Sequence, residues 1–351
     1  MKLLLLGDFN APTAFSNINL HIARLLKSKG VDLTVITHIS QPLPQQVIDG
    51  IPVIGFFKGK FTFEKVKQLA EGFDVALLSG TWFLWREVVP ALNYHEIPFI
   101  AYTTCEGEVD VNYAGVLSDA EKILVPSNFV KNIFLKYFSS KKLEVLPHGV
   151  DTELFKPVCP QEDIVLVPCR YGNPRKQTDK ITRAFTRLMY ADKTKTLRLI
   201  FTGQPIPSLG IMDTPKLTDM PILYSKAVTA IDIGEAEGFC MSLIESMSCT
   251  RPIITLDAPP QNEIVTDRRL LVKVKETVPK TIVVRMGDET VYVRYQANIV
   301  DEEDLYDKLE TAIEQSTELI ASEAHNWRRK VEGNYSHLNY NRIYELLEKL
   351  L

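Results

Sequence analysis

The sequence has no apolar run long enough to cross a bilayer, for which a helix needs about 20 consecutive apolar residues. Its opening, Met1-Lys-Leu-Leu-Leu-Leu6, stops at Gly7-Asp8. That is also too short for the apolar region of a signal peptide, so it reads as a buried first strand, and any membrane contact would be peripheral. There is no CxxC pair. Cys105, Cys159, Cys169, Cys240 and Cys249 are odd in number and far apart, which excludes a zinc knuckle or a disulfide framework and fits a reducing cytoplasm. Charge of one sign is lacking too: 40 Lys+Arg against 44 Asp+Glu give a formal charge of -4, with no chain-wide pull toward nucleic acid. Only Gly7 follows the first strand, so the Gly-x-Gly-x-x-Gly turn of a nicotinamide dehydrogenase is missing. No short-period repeat and no compelling metal cluster stands out, so neither a metal nor a cofactor is expected.

What is present is ordinary for a soluble globular protein: 45% hydrophobic and 24% charged residues. A chain of 351 residues exceeds the usual single core, so two domains are expected. Apolar runs at 2–6, 31–36, 75–79, 98–103, 123–126 and 143–146 alternate with helical patterns at 17–29, 63–70, 88–94 and 128–138. That alternation implies parallel βαβ units. A second series starts with 164–167 and continues through 197–202, 227–233, a helix at 240–249 and 252–255. The spacing of 280–284 and 291–295 suits a hairpin, read as an insertion or edge ornament. The expected domains are therefore residues 1–154 and 155–325, with a C-terminal helical segment, 326–351, packing back on the first.

The most informative stretch is Glu235-Ala-Glu-Gly-Phe-Cys-Met-Ser-Leu-Ile-Glu245. In one helix, Glu237 and Glu245 would be separated by roughly 12 Å of rise and about 80° of rotation, so they cannot share a proton. Glu237 is expected in the loop before a helix and Glu245 two turns inside it, with backbone N–H groups from Gly238 to Met241 facing an anion. The spacing alone favours the plainer account, one charge at a helix N-terminus and one solvated glutamate.

Context separates the two readings. The segment resembles the Glu-Gly-Phe-Gly…Glu-Ala-Met-Ala-x-Gly-x-Pro-Val-Ile signature of the retaining family-4 glycosyltransferases (glycosyl transferases group 1); here it reads Glu237-Gly-Phe-Cys240…Glu245-Ser-Met-Ser-Cys-Thr-Arg-Pro-Ile-Ile254. Asn262-Glu-Ile-Val265 and the passage Leu146-Pro-His-Gly-Val-Asp-Thr-Glu-Leu-Phe155 extend the likeness over most of the chain. The resemblance implies the α/β GT-B fold, two Rossmann-like parallel-sheet domains facing across a cleft. It also implies transfer of a sugar, a hexose above all, from a nucleotide-diphosphate donor to a glycan, lipid or protein acceptor, with no metal. Glu245 would bind the donor ribose, and Glu237, Gly238, Phe239 and Cys240 would face the donor sugar and phosphates. Arg170 with Lys176 would neutralise the departing diphosphate, Arg175 being the alternative to Lys176.

The chain departs from the family in two places. Thr13-Ala14 stand where relatives often carry a Gly-Gly pair that lets backbone approach a phosphate. At the acceptor side, Glu106 stands where many relatives have His or Asp; it would orient the acceptor or stabilise a developing oxocarbenium ion, as Glu108 and Asp110 could, or belong to a solvated acidic loop. His148 reads as a turn residue, and Trp82 and Trp85 as core or as exposed rings for a sugar or lipid. The alternative functions are an epimerase or phosphorylase on the same fold, or an inactive nucleotide-sugar-binding protein.

Overall fold

The computed structural model describes residues 1–11, 13–38, 46–55, 61–169, 171–191, 196–202, 211–212, 219–286 and 289–351. They divide into two compact units, 1–149 with 280–295 and 337–351, and 150–279 with 296–336. The division falls ahead of residue 154, and the returning C-terminal segment starts at His337 rather than at 326.

The first unit is built on β1 (Lys2–Gly7), β2 (Asp32–Thr37), β3 (Gln46–Ile48), β4 (Ile51–Gly55), β5 (Val75–Thr81), β6 (Phe99–Thr104), β7 (Lys122–Val125) and β8 (Leu143–Val145), in the order β3-β4-β2-β1-β5-β6-β7-β8. The pairs are parallel except β3 with β4. Leu3, Leu4, Leu5 and Leu6 are all buried, as expected of a parallel strand covered on both faces. The helix Ala14–Ser28 buries Ile18, Ile22 and Leu26, one stripe at helical spacing.

Gly7 is required by close approach. A Cβ there would lie 2.1 Å from Ser79 O and 2.7 Å from Asn19 Nδ2, and Asn19 is itself committed to Asp8 O and Ser79 O at 2.9 and 3.2 Å. Gly7→Ala must part β1 from β5 at its end, and a loss of about 3 kcal/mol is expected. Thermal unfolding checks it; an unchanged midpoint would contradict the packing described.

The second unit holds β9 (Ile164–Val167), β10 (Arg198–Thr202), β11 (Ile211–Met212), β12 (Ala227–Asp232), β13 (Ile253–Leu256) and β14 (Leu271–Val272), ordered β11-β10-β9-β12-β13-β14 and paired in parallel. Ile181, Phe185 and Leu188 of the helix Thr178–Tyr190 are buried in this unit's core. Arg328, from the helix Ser316–Asn334, donates to Thr152 O, Phe155 O and Ser248 O at 2.9, 3.2 and 3.0 Å. This explains why 150–155 belongs with the second unit.

The hairpin is longer than its apolar pattern suggested, β15 (Val274–Met286) and β16 (Glu289–Val300), and forms a sheet of its own rather than an edge. Val291 and Val293 are buried in the first unit's core. It is therefore part of the packing, not an ornament. The segment from His337 belongs to the first unit: Arg342 meets Glu144 through Nε–Oε1 at 2.6 Å and Nη2–Oε2 at 3.1 Å, and Tyr340 OH accepts from Gly149 N–H at 2.8 Å. No helix among the described residues is long and apolar enough to cross a membrane.

Candidate functional site

In the second unit, two loops leave the sheet side by side, one after β9 and one after β12. The first contains a single 3-10 turn, Pro174–Lys176, opened by Asn173, whose Oδ1 accepts from Arg175 N–H at 3.1 Å. Gln177 then takes a left-handed conformation, φ 47°. Its buried amide compensates: Nε2 donates to Ile233 O at 2.9 Å and Asn298 O at 3.1 Å, and Oε1 accepts from Val300 N–H at 3.0 Å. A left-handed non-glycine persists only where surrounding contacts over-determine it. The turn carrying Lys176 is thereby fixed to the loop after β12.

That second loop runs from Asp232 through Gly234 and Glu237 to the helix Met241–Ser248. Lys176 Nζ lies 2.9 Å from both Asp232 carboxylate oxygens and 2.8 Å from Glu237 Oε1. Asp232 is buried and also accepts from Ser242 Oγ and, at 3.3 Å, from Gly234 N–H. Burial opposes the charge on both partners, yet Lys176 remains well above the usual lysine pKa because Asp232 and Glu237 outweigh that penalty. Asp232 is likewise held below the usual aspartate value by Lys176 and Ser242 in spite of burial. Gly234 admits this arrangement: a Cβ there would stand 2.3 Å from Glu237 Oε1.

Glu245 sits inside the helix, where burial pushes its pKa up to about 7, with Asp232 adding to the shift while the Tyr224 hydroxyl, donating at 2.9 Å, and Lys176 oppose it. Near neutral pH this carboxyl is poised between acceptor and donor.

Lys176 and Glu237 thus meet at the loop after β12, and Glu245 lies inside the helix that follows it. Gly238, Phe239 and Cys240 are buried rather than open; the Phe239 ring packs edge-on against Tyr335, centroids 5.9 Å apart, and Cys240 takes φ 81° at the position where the family signature has glycine. Arg175 is spent on the loop itself, Nη2 donating to Ala236 O at 3.0 Å and its carbonyl accepting from Glu235 N–H at 2.8 Å. Arg170 lies outside the described residues.

The other candidates belong to the first unit. Thr13 caps the helix that Ala14 opens: its Oγ1 accepts from Ser16 N–H at 3.1 Å and donates to Asp8 Oδ2 at 2.7 Å, at φ -125°, so this backbone needs no glycine. Glu106 is half-buried in the loop after β6. The neighbouring Glu108 N–H donates to Arg294 O of the hairpin at 2.7 Å, and Asp110 caps a short helix by accepting from Asn112 N–H at 2.8 Å. Trp82 and Trp85 are fully buried, which removes them as exposed platforms. His148 is buried beside Tyr102, Nδ1 to hydroxyl 2.6 Å, and burial takes its pKa down to about 3.

Sequence reasoning missed Asp232, Ser242 and Tyr224. Asp232 left one usable signal: it is a lone carboxylate ending the otherwise uncharged strand Ala227-Val-Thr-Ala-Ile-Asp232.

No protein-family model and no curated protein matches the chain by sequence. Solved structures do match it over nearly its full length. Sucrose-phosphate synthase from Thermosynechococcus elongatus superposes with a TM-score of 0.76 at 15% identity, covering 100% of this chain and 99% of that one. The pneumococcal O-GlcNAc transferase GtfA, solved with UDP and GlcNAc, gives 0.69 at 10% identity, with 99% of each chain covered. A trehalose-6-phosphate synthase gives 0.69 at 10% identity with 100% of both chains covered. The fold is GT-B. At these identities the GT-B likeness establishes architecture, while what the site does has to come from its own residues.

Proposed function

We propose that this GT-B chain is a retaining glycosyltransferase that moves a sugar from a nucleotide-diphosphate donor to an acceptor hydroxyl without a metal ion. The observation that carries the reading is the convergence of Lys176, Glu237 and Glu245 on the loop and helix after β12. Two neighbours add weight: the trehalose-6-phosphate synthase structure comes from work on glycosyl transfer with retention, and GtfA was solved with UDP and GlcNAc.

Lys176, with Arg170 assigned to the same role from sequence, neutralises the charge that grows on the departing diphosphate, as a preorganised cation does without reorganising during the reaction. Glu245 accepts from the donor ribose in its ionised form. Glu237 faces the sugar. In transfer with retention of this type the leaving phosphate itself takes the acceptor proton, so no protein nucleophile is required; Glu106 is assigned to orient the acceptor. The protein is read as cytoplasmic, with peripheral membrane contact if the acceptor is lipid-linked.

Titration calorimetry of EDTA-treated protein against ADP, GDP, dTDP and UDP tests the donor half of this reading. One of them should bind, with affinity unchanged by added magnesium. Binding that appears only with magnesium, or none at all, would contradict it.

A further inference from the structure

The lysine assigned to the diphosphate is already engaged. Its ammonium meets two carboxylates, Asp232 through both oxygens and Glu237 through one. Among the described residues, the contacts at this ammonium therefore join one cation and two anions. A diphosphate that joins them brings a third anionic group to the same ammonium, which calls for a rearrangement.

The two carboxylates are not equivalent. Asp232 ends a strand buried along its whole length, its side chain is 3% exposed, and Ser242 Oγ and Gly234 N–H both donate to it. Displacing it would strand a buried charge and two donors, at a cost no incoming ligand group could offset at that depth. Glu237 sits on the loop, and its side chain is 16% exposed. Its carboxylate lies at the end of a longer side chain and nearer solvent than that of Asp232.

We propose that Asp232 is the permanent counter-ion that positions Lys176, and that Glu237 is an exchangeable one, released from the ammonium when the donor diphosphate docks. Resting on the glycosyltransferase reading, this gives Asp232 a positioning role. It also makes Glu237 an occupant of the diphosphate's place in the empty site. The exchange keeps Lys176 paired and correctly aimed before the donor arrives, and frees the Glu237 carboxylate for the sugar only once the donor is there.

The test uses the full chain and whichever of ADP, GDP, dTDP and UDP binds the wild type most tightly. Glu237→Gln removes the competing charge and should tighten that nucleoside diphosphate about fivefold, the effect of one unit charge at contact distance in a solvated setting. Asp232→Asn removes a charge as well, but it also frees the ammonium from its anchor, so no gain is expected. Equal tightening by both variants, or weaker binding by Glu237→Gln, would overturn the division of roles. Should Asp232→Asn fail to fold, crystals of wild-type protein with and without the same nucleotide decide the matter. Lys176 should keep Asp232 in both and lose Glu237 in the complex; an unbroken Lys176–Glu237 contact in the complex would overturn the exchange. Failure of the wild type to bind any of the four nucleotides would instead refute the glycosyltransferase reading on which the exchange rests.

Discussion

Lys176→Met should lower sugar transfer by about a hundredfold to a thousandfold in kcat, the usual consequence of removing one preorganised group that stabilises transition-state charge. It should also destabilise the second unit by about 3 kcal/mol, because it leaves Asp232 buried without its cation. The two effects have to be separated. Adding Asp232→Asn to the same chain replaces the stranded carboxylate by an amide that Ser242 can still approach, so the double variant should regain most of the lost stability and none of the lost turnover. Thermal unfolding and donor turnover, read on both variants, check this. Turnover that returns along with stability would show that Lys176 matters only for folding.

Glu245→Gln carries the second large effect, and the sign depends on pH. In the folded chain burial pushes this carboxyl up to about 7, from the usual glutamate value of 4.5. Between those values the folded protein keeps a proton that the unfolded chain has released. The stability this group contributes is therefore full below about pH 4.5 and is lost as pH rises through 7. The gap corresponds to about 3 kcal/mol. Glutamine has no charge to bury, so the variant should exceed the wild type in stability by about that much at pH 8 and match it near pH 4.5, as urea unfolding at the two pH values would show. The same substitution removes the ionised acceptor assigned to the ribose and should weaken nucleoside diphosphate binding by about 1.5–3 kcal/mol. A variant no more stable than the wild type at pH 8 would contradict the buried setting of Glu245. Unchanged nucleotide affinity would contradict its assignment to the ribose.

Much of the architecture was legible because parallel strands buried on both faces leave long apolar runs. Phe63–Ala70, Val88–Tyr94 and Ile164–Val167 fall at the expected bounds, and the GT-B fold follows from the strand-helix alternation together with the Glu237–Glu245 signature. The hairpin was underestimated because only its central residues alternate in polarity. Its outer residues are fixed by partners distant in sequence, such as the Asn298 N–H that donates to Glu235 O at 2.8 Å.

Glu237 and Glu245 were legible as candidates, since they stand in a motif. Asp232 was not, because nothing in a strand's local pattern says that a lysine 56 positions earlier will fold against its end. Thr13, read as a departure from the family's phosphate loop, caps the helix that follows, and its Oγ1 is satisfied by Asp8 and Ser16. Core packing, the commoner place for an indole, holds for Trp82 and Trp85, since the structure buries both.

The most direct measurement of the central claim is the stereochemistry of donor cleavage. The EDTA-treated protein would be incubated with α-linked sugar donors of the nucleotide it binds best, with water as the acceptor, and proton NMR would follow the first-formed anomer of the released sugar. The account predicts the α anomer first, in the absence of metal, with β appearing only by later mutarotation. A β anomer formed first, or cleavage that begins only when a divalent metal is restored, would contradict it.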